Sequence, residues 1–378
     1  MTRGKPDFLL LFTVFLLVGF GLVMVFSSSY YIAMTETDDS YFYFKRQLLA
    51  AVLGLFALFF AMNVKFTLYR KLMAPMLVVT VVLLIAVFFM EERGGAHRWI
   101  ILPGFQFQPS ELAKITAVVY AAYIFSKKQD RLDSFWRGLF PPLTIIGGLF
   151  LLIVLEPHFS SAFMLFVSCM AVVFCSKARL RHLFLLAVLS VPVLIGFLLL
   201  RGYRLTRLET YLDPFADKMG SGFQTVQSLY AIAPGGWSGV GLGNSIQKML
   251  YLPEAHTDFI FSIIAEELGF IGSSGLIFLY LLFIWRGIVI ALRSPNQFGF
   301  LLAIGLVTLI GIQAFLNIAV ATALIPVTGV PLPFISYGGT SLLMCMAISG
   351  ILLNISRYKV PRKQRKKGDA TREAVMTN

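Results

Sequence analysis

Residues 8–27 read FLLLFTVFLLVGFGLVMVFS, twenty residues without a single charged side chain. An α-helix of this length spans the roughly 30 Å of hydrocarbon in a lipid bilayer. Similar apolar runs recur along the 378-residue chain, which is 58% hydrophobic and only 13% charged. Soluble globular proteins carry about 25% charged residues. The composition therefore excludes an ordinary soluble domain and predicts one membrane domain built from helices.

The apolar runs predict an all-α polytopic membrane protein with about ten transmembrane helices. Their expected bounds are 7–27, 46–63, 72–90, 110–126, 139–155, 159–176, 180–200, 258–284, 298–322 and 338–356. The fifth and sixth helices are separated only by Glu156-Pro157-His158. A proline there indicates a tight outer turn rather than one long kinked helix.

The distribution of charge predicts the orientation, because ten helices place both termini on one side of the membrane. With the N-terminus in the cytoplasm, 22 of the 32 lysines and arginines lie on the cytoplasmic side, but only 5 of the 19 acidic residues do. This bias predicts that both termini are cytoplasmic. The net charge of +13 is then an orientation signal and not evidence for a nucleic-acid partner. Residues 359–378 are predicted to form a disordered basic tail on anionic lipid.

One outer connection, residues 201–257, is far longer than the others and joins the predicted seventh and eighth helices. Long loops in compact domains are usually functional or disordered. This loop contains aromatic residues and glycine-rich turns, so we expect it to be ordered. Near its start, Arg201, Arg204 and Arg207 form one basic stripe if the backbone is helical. The stripe fits either an interfacial helix on anionic lipid or a second contact to a phosphate.

The outer end of the predicted fourth helix carries several charged residues. Pro109 and Glu111 suit the first turn of a helix, and Lys114 lies on the same face as Glu111, one turn deeper. A lysine exposed to lipid costs about 2.5–3.5 kcal/mol, so we expect Lys114 to face a polar cavity. Either Lys114 and Arg98 bind an anionic headgroup such as a diphosphate, or Lys114 forms a structural pair with Glu111.

Residues 251–261 are the most polar stretch, and they end the long loop where the eighth helix begins. Asp258 stands where an N-cap residue belongs, and the alternative role is that of a general base on a sugar hydroxyl. Asparagine caps a helix nearly as well and cannot accept the proton, so Asp258→Asn separates the two roles. Glu266 and Glu267, two turns into the helix, require a cation or a cavity, and proton relay is an alternative.

Prolines and glycines between Pro326 and Ser341 forbid a continuous helix. Non-helical backbone at membrane depth is tolerated only where protein covers it or where it lines a water-filled cavity. We therefore expect a re-entrant or loop segment that closes the outer side of a cavity, with a plain helix break as the alternative. The sequence contains no nucleotide-binding loop, zinc-ligand spacing or GxSxG motif. These residues indicate a membrane enzyme that acts at the outer face on an anionic lipid-linked substrate.

The sequence resembles the SEDS family (shape, elongation, division and sporulation), which includes FtsW, RodA and SpoVE, and it looks most like the SpoVE and FtsW members. The resemblance covers residues 7–358. It rests on Arg98-Trp99, on Gln108-Pro109-Ser110-Glu111 with Lys114, on 220–228 with Gln224 and Gln227, on Gly241-Leu242-Gly243 with Gln247-Lys248, on 253–258, and on 331–341.

The resemblance implies a single SEDS-type membrane domain over residues 1–358 and peptidoglycan glycosyltransferase activity. Family members join lipid II into glycan strands on the outer face of the bacterial cytoplasmic membrane, release undecaprenyl diphosphate, and work with a class B penicillin-binding protein. A divalent cation, Mg²⁺ or Mn²⁺, supports the activity of some members, although no residue pattern here marks a metal site. The SpoVE-like and FtsW-like appearance favours spore cortex or division, at the forespore membrane or the division septum.

By the same resemblance, Asp258 is the catalytic carboxylate, and Arg98 and Lys114 hold the donor diphosphate. The other motif residues are expected to bind substrate: Trp99, Gln108, Glu111, Gln224, Gln227, Lys248, Glu254, His256, Thr257, Ser336 and Tyr337. Two alternatives stay open, a lipid II flippase and a non-catalytic scaffold that recruits a penicillin-binding protein.

The sequence departs from the family pattern at Glu156-Pro157-His158-Phe159-Ser160. The family usually has Gln or Glu, then Pro-Asp-x-Gly, at this turn. His158 replaces the aspartate and Ser160 replaces the glycine, so no role of that aspartate is carried over to this chain. Glu156 is retained as a candidate site residue.

Overall fold

The computed structural model describes residues 3–90, 97–102, 105–179, 210–217, 219–220 and 222–358, together with isolated positions between 181 and 196. Three predicted features therefore lie outside the described residues. They are most of the seventh helix (180–200), the stripe formed by Arg201, Arg204 and Arg207, and the basic tail 359–378.

The described residues form a mainly helical bundle. Its helices are α1 Phe8–Thr37, α2 Phe42–Asn63, α3 Leu68–Val87, α4 Pro109–Lys127, α5 Phe140–Leu155, α6 Phe159–Phe174, α7 Phe223–Ile232, α8 Ile260–Leu292, α9 Gln297–Ala321 and α10 Gly339–Ser356. Two features were not predicted: helix α7, which lies within the expected outer loop, and an antiparallel two-stranded ribbon before α4, formed by β1 Ile100–Leu102 and β2 Phe105–Phe107.

Nine of the ten predicted helices have a counterpart among the described residues, and the predicted seventh helix lies outside them. Seven described helices are long and apolar enough to cross a membrane, if a turn of π-helix at Phe135–Leu139 is counted with α5. Of the other two, α6 has only 16 residues, and α4 carries the charged Glu111 and Lys114. The protein is a multi-pass membrane protein.

Two helix ends differ from the prediction by more than four residues. Helix α1 continues to Thr37 instead of ending at residue 27. At 1.5 Å per residue its 30 residues extend about 45 Å, which exceeds the hydrocarbon thickness of about 30 Å. Helix α8 continues to Leu292 instead of residue 284, and it is interrupted at Gly269, where φ is 62°. Hydropathy locates the membrane-embedded part of a helix and not the end of its hydrogen-bonded backbone.

Helix α4 lies in the middle of the bundle, where it packs against α3, α6 and α9. Ala113, Ala117 and Ala121 are fully buried along it. Helices α2 and α10 form another close contact. A Cβ atom on Gly350 would lie 2.4 Å from the carbonyl oxygen of Leu58. Small residues allow such close helix packing inside a membrane protein.

The two ends of the described chain meet at one end of the bundle. Gly4 N donates to Arg357 O at 2.7 Å, and Arg3 pairs with Tyr358 as an isolated β-bridge. Termini on the same side agree with an even number of membrane crossings. The basic-residue bias assigns this side to the cytoplasm, so the opposite end, where α4, α8 and α10 begin, faces outward.

Candidate active site

Asp258 lies in the turn that precedes α8, at the outer end of the bundle. Helix α8 begins at Ile260, its N-cap residue is Phe259, and no side chain forms a capping hydrogen bond there. Asp258 therefore lies one residue before the N-cap position. Its side chain is half-buried, and its carbonyl oxygen accepts a hydrogen bond from Asn317 Nδ2 at 2.7 Å.

The non-helical segment between α9 and α10 packs directly on this turn. Ser336 Oγ donates to Thr257 O at 2.5 Å, and Tyr337 N donates to His256 O at 2.9 Å. Residues 332–336 are buried, so protein covers this irregular backbone, as membrane depth requires. The predicted break in helical structure between Pro326 and Ser341 is confirmed.

These two segments form one wall of a cavity of about 310 Å³. The opposite wall comes from the residues before α4 and from the start of α6. The lining residues are Arg98, Trp99, Gln108, Glu111, His158, Ser161, Met164, Glu254, Thr257, Asp258, Gly329, Val330, Pro331, Tyr337, Gly338 and Ser341. Carboxylates, a guanidinium and aromatic rings thus share one outward cavity.

The start of α4 supplies a buried ion pair beside the cavity. Pro109 is the first residue of α4 and Glu111 lies in its first turn, as predicted. Lys114 Nζ donates to Glu111 Oε1 at 2.7 Å, and the two side chains are only 1% and 6% exposed. Glu111 itself lines the cavity, and the ammonium group of Lys114 behind it balances the charge of its carboxylate.

Arg98 is held against the turn between α5 and α6. Its Nη2 donates to Pro157 O, and its Nε lies 3.4 Å from Glu156 O. The carboxylate oxygens of Glu156 are buried and make no hydrogen bond to any described residue. Burial raises the pKa of Glu156 from 4.5 to about 8, although the positive charge of Arg98 acts in the opposite direction.

His158, which stands where the family usually has aspartate, bridges α4 and α6. Its Nδ1 lies 3.3 Å from Gln108 Nε2 and 3.2 Å from Ser110 Oγ, and its Nε2 lies 3.2 Å from Ser161 Oγ. Burial lowers the pKa of His158 well below its ordinary value, and the charges of Arg98 and Lys114 lower it further. His158 is thus a neutral ring that adds no charge to the cavity wall.

A second cavity of about 370 Å³ adjoins the first and shares four lining residues with it: Trp99, Thr257, Tyr337 and Gly338. Its far wall lies on α2 and consists of Arg46 followed by the apolar residues Leu49, Ala50 and Leu53. Leu49 and Leu53 are exposed on a membrane-crossing helix. The polar cavity is therefore continuous with an apolar wall that faces lipid.

The comparisons with known proteins assign the chain to a family. The family model described as "Cell cycle protein", which covers FtsW, RodA and SpoVE, matches residues 8–360. The chain belongs to the FtsW/RodA/SpoVE family, the SEDS proteins. Stage V sporulation protein E of Bacillus subtilis is 43% identical to this SEDS protein over 359 residues, which cover 94% of this chain and 98% of that protein.

Other relatives and solved structures support the same family assignment. The probable peptidoglycan glycosyltransferase FtsW of Geobacter sp. strain M18 is 39% identical over 93% of this chain and 96% of that protein. A chain from a solved peptidoglycan synthase complex superposes with a TM-score of 0.75 at 30% identity, covering 93% of this chain and 98% of that chain. The rod shape determining protein RodA of Thermus thermophilus superposes with a TM-score of 0.69 at 28% identity, over 94% and 98%.

Eight of the predicted site residues line the cavity of this SEDS protein: Arg98, Trp99, Gln108, Glu111, Glu254, Thr257, Asp258 and Tyr337. Three others contact lining residues without lining the cavity themselves. Lys114 pairs with Glu111, Ser336 Oγ donates to Thr257 O, and the backbone carbonyl of His256 accepts from Tyr337 N.

The remaining described candidates do not line the cavity. Gln224 and Gln227 are half-buried on α7, which packs against α8. Lys248 forms a buried ion pair with Glu267 at 2.7 Å. Glu266 accepts hydrogen bonds from Ser245 Oγ at 2.5 Å and from Ile246 N at 2.8 Å. These contacts fasten the long outer loop to α8.

Three residues that the sequence interpretation missed position the cavity wall. Asn317 Nδ2 on α9 donates to Asp258 O and to Val330 O, both at 2.7 Å. Gln313 Nε2 donates to Pro331 O at 3.0 Å. Gln47 on α2 donates to Ser336 O at 3.1 Å and accepts from Gly338 N at 3.2 Å. For Gln313 and Asn317, the signal in the sequence is an amide side chain inside an otherwise apolar stretch of helix, which requires a partner.

Proposed function

We propose that this SEDS protein is a peptidoglycan glycosyltransferase that polymerises lipid II into glycan strands on the outer face of the bacterial cytoplasmic membrane. The observation that carries the proposal is that Asp258, Glu254 and Arg98 line one outward cavity. The names of its relatives support it, because several are probable peptidoglycan glycosyltransferases about 40% identical over most of the chain. Lipid II carries its own activated diphosphate, so the absence of a nucleotide-binding motif from the sequence is expected.

In the proposed reaction, the acceptor hydroxyl attacks the anomeric carbon of the donor sugar. A new carbon–oxygen bond forms as the bond to the diphosphate breaks, and undecaprenyl diphosphate leaves. Asp258 accepts the proton from the attacking hydroxyl, as a general base. The hydrogen bond from Asn317 to the Asp258 carbonyl holds the turn in place, and such positioning lowers the entropic cost of the reaction.

The leaving diphosphate requires positive charge. Arg98 lines the cavity, and Lys114 lies directly behind Glu111. Arginine recognises phosphate through several parallel donors, so Arg98 is the proposed direct contact. Lys114 contributes by neutralising the carboxylate of Glu111, which would otherwise repel the diphosphate. Because the His158 ring is neutral, it does not offset the positive charge of Arg98. The adjoining cavity with Leu49 and Leu53 offers an apolar path for a prenyl chain.

A divalent cation fits this site only in part. Within the described segments, no group of three His, Cys, Asp or Glu side chains could hold a metal ion. Mg²⁺ is commonly bound by one or two carboxylates together with substrate phosphates, and Glu254 on the cavity wall is the carboxylate that suits this arrangement. A Mg²⁺ or Mn²⁺ bound there would help to neutralise the diphosphate.

The proposed partner is a class B penicillin-binding protein, which would cross-link the strands. The support is the likeness to a chain from a peptidoglycan synthase complex of polymerisation and crosslinking. The likeness to a stage V sporulation protein and to FtsW proteins favours the forespore membrane or the division septum. We further propose that residues 1–358 form one membrane domain and that 359–378 form a basic cytoplasmic tail.

One experiment separates polymerisation from the two alternatives. Purified protein, with its candidate penicillin-binding protein, receives lipid II in liposomes, and both glycan products and lipid II translocation are measured. We expect glycan strands from the wild type and none from Asp258→Asn, while both proteins bind the partner equally. Translocation without any polymer would indicate a flippase. Unchanged cell-wall synthesis in cells that carry Asp258→Asn would indicate a scaffold.

A further inference from the structure

A separate polar pocket lies at the cytoplasmic end of the bundle, opposite the active-site cavity. Its volume is about 420 Å³, and it forms where α1 begins and where α8 and α10 end. Its charged residues are Lys5, Asp7, Arg286 and Arg293. The proposed polymerisation uses none of them, so the pocket requires its own explanation.

The pocket has an excess of positive charge. Arg286 pairs with Asp7 through Nη2, and its Nε lies 3.3 Å from Asp7 Oδ1. Lys5 and Arg293 are exposed and form no ion pair with any residue that the structure describes. The start of one helix and the ends of two helices meet here, so the helix dipoles leave about half a negative elementary charge, which the two unpaired cations outweigh. The two unpaired cations, Lys5 and Arg293, make the net charge of the pocket positive, and this charge favours an anion as the ligand.

An apolar surface adjoins this charge. Phe8 and Leu9, in the first turn of α1, line the same pocket and are 75% and 37% exposed. Because α1 crosses the membrane, these exposed side chains face acyl chains. A ligand with a phosphate in the pocket and a hydrocarbon chain beside Phe8 would contact both the charged and the apolar surface. A soluble anion would contact only the charged one.

The N-terminal segment that carries Lys5 is held on both sides. Gly4 N donates to Arg357 O at 2.7 Å, and Asp7 N donates to Ser356 Oγ at 2.9 Å. Lys5 therefore lies between two residues whose backbone N–H groups are hydrogen-bonded to the end of α10. A site whose backbone is already fixed loses less conformational entropy when a ligand binds.

We propose that this pocket binds the phosphate headgroup of an anionic phospholipid from the inner leaflet, with Lys5 and Arg293 as the direct contacts. Basic pockets between transmembrane helices on the cytoplasmic side are suited to such headgroups. The inference does not depend on the glycosyltransferase activity, because it rests on a different surface.

The test is a lipid titration of the delipidated full-length protein in detergent. Phosphatidylglycerol and phosphatidylcholine with the same acyl chains are added separately, and bound lipid is counted by native mass spectrometry. We expect one tight site for phosphatidylglycerol. The double variant Lys5→Gln/Arg293→Gln should bind it roughly 25-fold more weakly, at about five-fold for each cation, with no change for phosphatidylcholine.

Matched variants make the result specific. Lys65→Gln/Lys71→Gln removes two exposed lysines on the same face that do not line the pocket, and it should bind like the wild type. Lys5→Arg/Arg293→Lys keeps both charges and should also retain binding. The proposal is overturned if phosphatidylcholine binds as tightly, or if the Lys65 and Lys71 variant loses as much affinity. It is also overturned if inorganic phosphate or glycerol 1-phosphate competes as effectively as the lipid, since the occupant would then be a soluble anion.

Discussion

Lys248 Nζ lies 2.7 Å from Glu267 Oε1, and the two side chains are only 6% and 0% exposed. Ser27 Oγ on α1 also lies within 2.8 Å of both Glu267 carboxylate oxygens. This pair joins three parts of the chain, namely the long outer loop, α8 and α1. Lys248 lies ten residues before Asp258 in sequence, so the pair helps to fix the path of the loop that ends at the cavity.

Removing one partner of this pair should destabilise the protein strongly. Lys248→Met leaves the Glu267 carboxylate buried without its cation, and we expect a loss of about 3–5 kcal/mol in the free energy of unfolding. The double variant Lys248→Met/Glu267→Gln should regain most of that loss, because no buried charge remains. Chemical unfolding in detergent measures both effects. Equal stability of the single and double variants would contradict this account.

Asn317 is expected to act as a positioning residue for Asp258. Asn317→Leu leaves the carbonyl groups of Asp258 and Val330 without the donor that now serves both. An unsatisfied buried polar group costs about 1–3 kcal/mol. We expect that loss of stability together with a lower kcat for lipid II polymerisation, because the turn that carries Asp258 is no longer fixed.

The control for Asn317 is a buried hydrogen bond away from the cavity. Thr80 Oγ1 and Thr116 Oγ1 lie 2.9 Å apart between α3 and α4. Thr116→Val should lower the melting temperature to a similar degree without changing kcat. If both variants lowered kcat equally, the effect of Asn317 would be one of general stability and not of positioning.

The raised pKa of Glu156 predicts that the free energy of unfolding depends on pH. Its pKa is raised from 4.5 to about 8 in the folded protein. The folded state therefore retains a proton between these pH values that the unfolded state has released, so rising pH favours unfolding. The free energy of unfolding of the wild type, minus that of Glu156→Gln, should fall as pH rises from about 4.5 to about 8 and stay constant above. A difference that does not vary over this range would show that the pKa of Glu156 is not raised.

The sequence was sufficient for the parts of the fold that depend on hydrophobic length. The uncharged run at 8–27 marks α1, and Pro109 with Glu111 marks the start of α4, because these signals are local. Eight of the motif residues, including Arg98 and Asp258, line one cavity, whereas Gln224, Gln227 and Lys248 lie away from it.

Contacts between distant segments could not be predicted in this way. Nothing local indicates that Lys248 pairs with Glu267 and not with substrate, since that depends on how the outer loop folds onto α8. The same holds for Asn317, whose two partners lie 59 and 13 residues away. The end of α1 at Thr37 was missed because a helix can continue beyond the membrane when its residues are no longer apolar.

The central claim is that Asp258 removes the proton from the acceptor hydroxyl. The most direct measurement is the initial rate of lipid II polymerisation by purified Asp258→Asn, compared with the wild type and with Asp38→Asn. Asp38 is an exposed acid beyond the outer end of α1, in a left-handed backbone conformation that asparagine also accepts. We predict a rate about 10²–10⁴-fold lower for Asp258→Asn and an unchanged rate for Asp38→Asn. A normally folded Asp258→Asn protein that polymerises lipid II at the wild-type rate would contradict the claim.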